Sequence, residues 1–200
     1  MNYVKPLNLF KQVMKIKVGK PSESRRLLCL DVRDDCVCLA VSDRDNKTAM
    51  PLRTLTRDKS DVFVMSESFQ SLVYEHNLSG FVVGLPYIRD NNDEKAKLLL
   101  NEVYENGTPH FQNILNGINY TIWDNSLSLK LSEMQMQVEY VTKEKVEMVL
   151  KHMNLHHLNA ETIMDHYAVV GMLRNYLDYC SEACRGEEKL EATEKEEVPN

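Results

Sequence analysis

The sequence has no hydrophobic run long enough to cross a membrane and no excess of basic charge. Its apolar runs fall well short of the ~18 residues that a membrane-spanning helix needs, so no membrane partner is predicted. The chain has 24 Lys and Arg against 30 Asp and Glu, a net charge of −6. We therefore expect no general electrostatic attraction between its surface and a polyanion.

The sequence also lacks a secretory signal and an even number of cysteines. Five cysteines without such a signal predict a reducing compartment, and we expect the cytoplasm. Cys36 and Cys38 would share one face of a strand, and Cys180 and Cys184 would lie one turn apart on a helix. Either pair could begin a metal site, but the favoured interpretation is buried free thiols.

The charge is distributed unevenly, and this predicts three parts. Residues 1–26 carry seven Lys or Arg and one Glu, whereas residues 182–200 carry three Lys or Arg and seven Glu. The prediction is a basic segment at 1–26, a globular domain at 27–180, and a disordered acidic tail at 181–200. Apolar spacing predicts a helix over Leu7–Val18 that docks on the core or on RNA. A mitochondrial or plastid targeting segment is the alternative.

The stretch from Leu27 to Asp43 predicts two strands joined by a tight turn. Leu27–Leu30 is a continuous apolar run, typical of a strand buried on both faces, and Asp31 closes it. A carboxylate at the end of a buried strand is unfavourable unless it is paired, and metal binding would provide a partner. The alternative is that Asp31 only caps the turn.

The remaining pattern alternates strands with amphipathic helices. An edge strand that contains Pro51 is followed by a helix whose predicted apolar face is Phe63, Phe69, Leu72 and Val73. Three later helices are predicted near 93–106, 127–153 and 159–179. His152 and His156 could ligate a metal on a helix, but a helix end and turn is favoured. Two further strands are predicted, at Gly80–Pro86 and Ile118–Asp124.

Four motifs in this order resemble the YqgF family, the Holliday-junction-resolvase-like branch of the ribonuclease H superfamily. Asp31 with Ala40-Val41-Ser42-Asp43 resembles the first motif, and Val83-Gly84-Leu85-Pro86 resembles the second. Asp124-Asn125-Ser126-Leu127-Ser128 resembles a strand end that reads Asp-Glu-Arg-Leu-Ser/Thr in the family. Asp165, Ala168 and Tyr176-Leu177 resemble the last helix. The resemblance covers about 27–179.

The resemblance implies a ribonuclease-H-like α/β fold, with a mixed five-stranded sheet and helices on both faces. It implies a nuclease that acts on structured RNA, in the maturation of a ribosomal RNA precursor, with the ribosomal subunit as a further partner. Asp31, Asp124 and Asp165 would be the catalytic ligands of Mg²⁺ or Mn²⁺. Substrate contacts would come from Arg33, Gly84, Asn125 and Ser126.

Departures from the family motifs keep a second function open. Arg33 and Cys38 stand where the family usually has glycines, and Asp35 stands where a basic residue is common. Asn125 replaces the Glu of the third motif and Ser126 replaces its Arg, which removes a planar phosphate donor. The segment near 130–144 is longer than usual in the family. The alternative is a noncatalytic RNA- or ribosome-binding protein that keeps the fold. An actin-like ATPase is disfavoured because no second Gly-rich phosphate loop is visible.

Overall fold

The computed structural model describes residues 1–19, 25–57, 62–85, 92–124, 151 and 160–196. The elements in chain order are β1 (Asn2–Tyr3), α1 (Pro6–Gly19), β2 (Arg26–Val32), β3 (Cys36–Ser42), β4 (Ala49–Thr56), α2 (Val62–His76), β5 (Leu78–Leu85), α3 (Asn92–Glu105), α4 (Pro109–Asn116), β6 (Asn119–Asp124) and α5 (Ala160–Glu196). The helix predicted over 127–153, apart from Lys151, and the candidate pair His152 and His156 lie outside the described residues.

The sheet of the described residues is mixed and has the order β1-β6-β5-β2-β3-β4. Strands β2, β3 and β4 are antiparallel neighbours, whereas β2, β5 and β6 pair in parallel. Strand β2 lies between β3 and β5, which pair with both of its edges. Its apolar side chains are buried on both faces of the sheet. The ribonuclease-H-like α/β prediction is confirmed. A sixth strand, the two-residue β1, joins the edge beside β6.

Alternation along the strands divides the core into two layers. One layer holds Leu28, Leu30 and Phe81 with the apolar sides of α2, α3 and α4. The other holds Leu27 and Cys29 with α1 and α5. Such burial of successive side chains on opposite faces explains why β2 reads as an unbroken hydrophobic run. All five cysteines are free thiols, of which Cys29, Cys38 and Cys180 are buried and Cys36 and Cys184 are half-buried.

Helix α1 packs on the domain. Leu9, Phe10 and Val13 are buried against the α5 face of the sheet, and the Tyr176 hydroxyl donates a hydrogen bond of 2.9 Å to the Pro6 carbonyl. The predicted helix is confirmed, and it docks on the core. At the other end of the chain, helix α5 extends to Glu196 and thus spans residues for which the sequence predicts a disordered tail.

Two details of the helices differ from the prediction. Phe63 is 55% exposed, so it does not belong to the buried face of α2, which Met65 and Ser66 join instead. Helix α4 was not predicted, because Gly107 and Pro109 indicate the end of α3. Thr108 caps α4 by accepting a hydrogen bond from the Phe111 N–H, and Pro109 occupies a first-turn position that suits proline.

Candidate active site

Asp31 lies at the carboxyl end of the central strand and is almost completely buried. It pairs in register with Cys38 of β3 and is only 2% exposed. Alternation places its side chain in the same row as Cys29, on the face that α5 covers. The sequence predicted a buried carboxylate that requires a partner, and the structure places one beside it.

That partner is Arg33, which bridges Asp31 and Asp165. The Nε and Nη2 atoms of Arg33 donate hydrogen bonds of 3.1 and 3.0 Å to Oδ2 of Asp31. Its Nη1 atom donates one of 2.6 Å to Oδ1 of Asp165, near the start of α5. The guanidinium therefore stands between two carboxylates that the fold brings together from opposite ends of the domain.

The backbone of Arg33 is held by the turn that follows β2. Its N–H donates to the Cys36 carbonyl at 2.9 Å, and its own carbonyl accepts a hydrogen bond of 3.3 Å from Nη1 of Arg57. Asp31 and Arg33 are two positions apart, so an extended backbone directs both side chains to the same face. The turn thus places the guanidinium of Arg33 on the same face of the sheet as the Asp31 carboxylate.

The charges around Asp31 oppose one another. Burial raises the pKa of Asp31, the charge and hydrogen bonds of Arg33 lower it, and the charge of Asp165 raises it again, with a net upward shift. Burial by itself would lower the pKa of Arg33, but the hydrogen bonds and charges of the two carboxylates raise it. Arg33 therefore stays protonated and partly compensates a carboxylate that burial disfavours.

One oxygen of Asp31 is left without a partner. Its Oδ1 atom is buried and has no hydrogen-bond partner among the described residues. A buried carboxylate oxygen in this state is unusual, because such groups are nearly always hydrogen-bonded or bound to an ion. The guanidinium satisfies Oδ2 only.

Asp124 ends β6, two strands away from β2. It pairs with Leu85 of β5, and the alternation of β6 puts it in the row of Tyr120 and Ile122, which pack against the core on the face opposite α5. Asp31 and Asp165 converge, but within the described ranges no group of three His, Cys, Asp or Glu side chains is suited to hold a metal ion. Asn125 and Ser126 lie outside the described residues.

At Gly84, which the resemblance implies as a substrate contact, the close neighbour in the structure is Met172 of α5. A Cβ atom added to Gly84 would overlap the Sδ atom of Met172. Glycine leaves room here for the Met172 side chain of α5, a helix that packs across β2, β3, β4 and β5.

We expect Gly84→Ala to lower the free energy of unfolding by about 1–3 kcal/mol, because Met172 would have to move within a packed layer. Gly171→Ala is the matched control, since nothing lies within 4 Å of its added Cβ atom. Because alanine favours a helix more than glycine does, Gly171→Ala in α5 should raise the free energy of unfolding by up to about 1 kcal/mol. Urea denaturation measures both, and equal effects of the two changes would contradict the packing role of Gly84.

Three further residues border the carboxylates and were not predicted as part of the site. The Thr54 hydroxyl donates to Sγ of Cys38 at 3.7 Å and lies 3.3 Å from Nε2 of His166. Burial raises the pKa of the Cys38 thiol, so it stays protonated. The register of Cys38 opposite Asp31 follows from the hairpin and could have been read from the sequence. The position of His166 depends on how α5 packs.

In this arrangement the carboxylate pair does not fit a divalent ion. Arg33 fills the position between Asp31 and Asp165, and its three hydrogen bonds use the oxygens that face one another. Mg²⁺ requires several oxygen ligands at ~2.1 Å in near-octahedral geometry, which a guanidinium between the carboxylates prevents. The structure thus presents an ion-paired site at the place where the sequence predicts a metal site.

Comparisons with known proteins agree on one family. The family model RuvX, described as Holliday junction resolvase, matches residues 25–179. A curated protein of Caldicellulosiruptor bescii, named "Putative pre-16S rRNA nuclease", is 27% identical over 157 residues, which cover 77% of this chain and 96% of the relative. A protein of the same name from Lachnospira eligens is 26% identical over 158 residues, covering 76% and 96%.

Solved structures give a more distant likeness. RuvC of Thermus thermophilus is 12% identical with a TM-score of 0.45, and the match covers 78% of this chain and 96% of that one. The yeast mitochondrial Holliday junction resolvase Ydc2 is 12% identical with a TM-score of 0.43, covering 84% of each chain.

Proposed function

Because this chain belongs to the RuvX family of Holliday junction resolvases, also called YqgF, we propose that it is a nuclease that cleaves phosphodiester bonds in a structured precursor of ribosomal RNA. The family match over most of the chain carries the proposal, and the curated relatives, named for pre-16S rRNA, supply the substrate class. Substrate would approach the carboxyl ends of β2, β5 and β6, where open α/β sheets bind ligands.

Asp31 and Asp165 are the acidic residues that we assign to the reaction. Asp124 is the proposed third residue on the family resemblance alone, because its strand position faces the side of the sheet opposite α5. Arg33 is the proposed phosphate contact, because its side chain is 36% exposed while its two partners are more deeply placed. Asn125 and Ser126 remain proposed substrate contacts on the resemblance alone. At Gly84 the α5 packing accounts for the glycine, and no substrate contact is needed to explain it.

Nucleases of this fold class generally use divalent metals, and Mg²⁺ or Mn²⁺ is the proposed cofactor. The pairing of Arg33 with both carboxylates means that no step through a metal follows from this geometry. The ribosomal subunit is the proposed further partner, and the cytoplasm the proposed location, with a mitochondrion or plastid as the alternative. Among the described residues, no helix combines the length and apolarity needed to cross a membrane.

Cleavage of a pre-16S rRNA fragment in Mg²⁺ tests the proposal. We expect the wild type to cut it slowly, and Asp31→Asn or Asp165→Asn to reduce the rate at least ~10-fold, because each change removes a charged site residue. The matched control is Asp178→Asn, an exposed position on α5 that lies 13 residues, or ~20 Å, beyond Asp165. Wild-type cleavage that survives both site substitutions would contradict the assignment.

A noncatalytic RNA- or ribosome-binding function is the second candidate, and the bridge from Arg33 to both carboxylates favours it. A site whose two carboxylates are bridged by the chain's own guanidinium keeps only half of their negative charge and has no open position between them for a catalytic metal. The same assay separates the two functions. The binding function predicts a gel shift of the RNA fragment without any cut product in Mg²⁺ or Mn²⁺.

A further inference from the structure

The arginine between Asp31 and Asp165 is fixed at both ends. Its backbone is tied to Cys36 and Arg57, and its guanidinium donates three hydrogen bonds to the two carboxylates. Arg33 and Asp165 are 132 positions apart in sequence, so only the folded domain creates this bridge. Ion pairs of this kind, with several charge-assisted hydrogen bonds, are among the stronger polar contacts in proteins.

We propose that Arg33 is the resident cation of the Asp31–Asp165 pair in the RNA-free protein, and that it competes directly with a divalent metal ion for these carboxylates. This rests on the proposed function only in treating the two carboxylates as the family's metal ligands. The protein therefore has a latent divalent-cation site that its own side chain fills. Removal of the guanidinium should expose the site.

Competition follows from charge and from shared oxygens. The two carboxylates carry a combined charge of −2, and one guanidinium offsets half of it. A divalent ion would offset all of it, but Arg33 stands between the two carboxylates and already uses Oδ2 of Asp31 and Oδ1 of Asp165. The cation that arrives must first displace the guanidinium, and this lowers its apparent affinity.

The unpartnered oxygen of Asp31 points independently to a ligand. Asp31 is 98% buried, and its Oδ1 atom has no hydrogen-bond partner in the described part of the chain. A guanidinium directed at Oδ2 leaves this oxygen unsatisfied, whereas a metal ion can bind both oxygens of a carboxylate. Arg33 thus leaves part of the ligand capacity of Asp31 unused, and removal of the guanidinium would make the facing oxygens of both carboxylates available to a cation.

The neighbouring cations are also paired in the free protein. Lys95 contacts Asp34 at 2.8 Å, and Arg57 lies 3.8 Å from Glu102. Lys95 and Arg57 therefore each already have a carboxylate partner. An RNA phosphate is the natural competitor for Arg33, because arginine binds phosphate and carboxylate with the same fork of N–H donors.

Mn²⁺ binding measured by electron paramagnetic resonance tests the inference without RNA, so the outcome does not depend on whether the protein cleaves anything. We expect wild-type protein to bind Mn²⁺ at least ~10-fold more weakly than Arg33→Ala and Arg33→Gln, because only the variants lack the competing charge. Adding Asp165→Asn to either variant should remove the gain. The control Arg44→Ala changes an exposed arginine in the β3–β4 turn, at the opposite end of β3, and should bind like the wild type.

Two variants keep the test decisive if one folds poorly, since Gln, unlike Ala, keeps a neutral hydrogen-bond donor at this position. Thermal unfolding with and without Mn²⁺ gives a second readout, in which the ion should raise the Tm of the Arg33 variants only. Equal Mn²⁺ affinity in wild type and variants would overturn the inference, because Arg33 would then not compete. Failure of every folded Arg33 variant to bind Mn²⁺ would overturn it as well, because no latent site would exist.

Discussion

A chain carrying Arg33→Gly, Asn125→Glu and Ser126→Arg together is expected to cleave a structured RNA about a thousandfold faster than the wild type in Mg²⁺. The glycine removes the guanidinium from between Asp31 and Asp165. The other two changes restore the Glu and Arg of the third family motif. Removal of one preorganised charge or donor commonly lowers kcat by ~100-fold or more. A thousandfold gain from three restorations together is therefore smaller than the product of three such effects.

Each of the three changes acts on a different physical deficit. Glu at position 125 adds a charged oxygen ligand where Asn offers only a neutral carbonyl, and Arg at 126 adds a bidentate phosphate donor that Ser cannot replace. Glycine at position 33 also lets the turn backbone approach a phosphate closely. Single changes should give much smaller gains, because residues that act as a unit are strongly non-additive.

The control is Asp31→Asn in the restored background, which should abolish the gain because it removes the central carboxylate. Time courses of product formation with and without Mg²⁺ measure the effect. A restored protein that folds, binds RNA and still shows no Mg²⁺-dependent cleavage would place the deficit elsewhere. The binding function would then replace the nuclease function.

The central hairpin and the parallel strands were predictable because their signals are local. Leu27–Leu30 is apolar at every position, and only a strand covered on both faces accommodates that pattern. The turn after Asp31 follows from three consecutive polar residues. The same logic gave the edge position of β4, since Pro51 cannot donate a ladder hydrogen bond.

The hydrogen bond from Arg33 to Asp165 was not predictable, because it depends on how α5 packs on the sheet. The sequence does place Asp31 and Arg33 on one face, two positions apart, and this half of the site could have been inferred. The other half is set by the packing of α5 across β2, β3, β4 and β5, which no local pattern encodes.

The extent of α5 was missed for a related reason. Acidic composition after Cys180 predicts disorder, yet the helix continues, and Glu187 forms a salt bridge with Lys11 of α1. The basic charge of the first segment and the acidic charge of the last one thus meet across the α1–α5 contact. In the sequence, each segment by itself shows only an excess of positive or of negative charge, so the contact between them is not visible there.

Replacing Arg33 by Met is expected to lower the free energy of unfolding by about 2 kcal/mol near neutral pH. Met keeps much of the side-chain volume but removes the charge, so Asp31 becomes a buried carboxylate facing Asp165 without compensation. Loss of one partner from a fully buried ion pair costs about 3–5 kcal/mol, and the 36% exposure of Arg33 reduces that figure.

The pH dependence identifies charge as the cause. Burial and Asp165 raise the pKa of Asp31 above 3.8, and loss of Arg33 should raise it further. A carboxyl group with a raised pKa in the folded state destabilises the protein when ionised, so the penalty of Arg33→Met is full above the folded pKa and disappears as pH falls toward 3.8. Urea denaturation across this range, with Asp31→Asn/Arg33→Met as the matched reference, measures it. The reference has no carboxylate at position 31, so it should be more stable than Arg33→Met at neutral pH and should approach it in acid. A constant difference between the two proteins at every pH would instead assign the effect of Arg33 to packing.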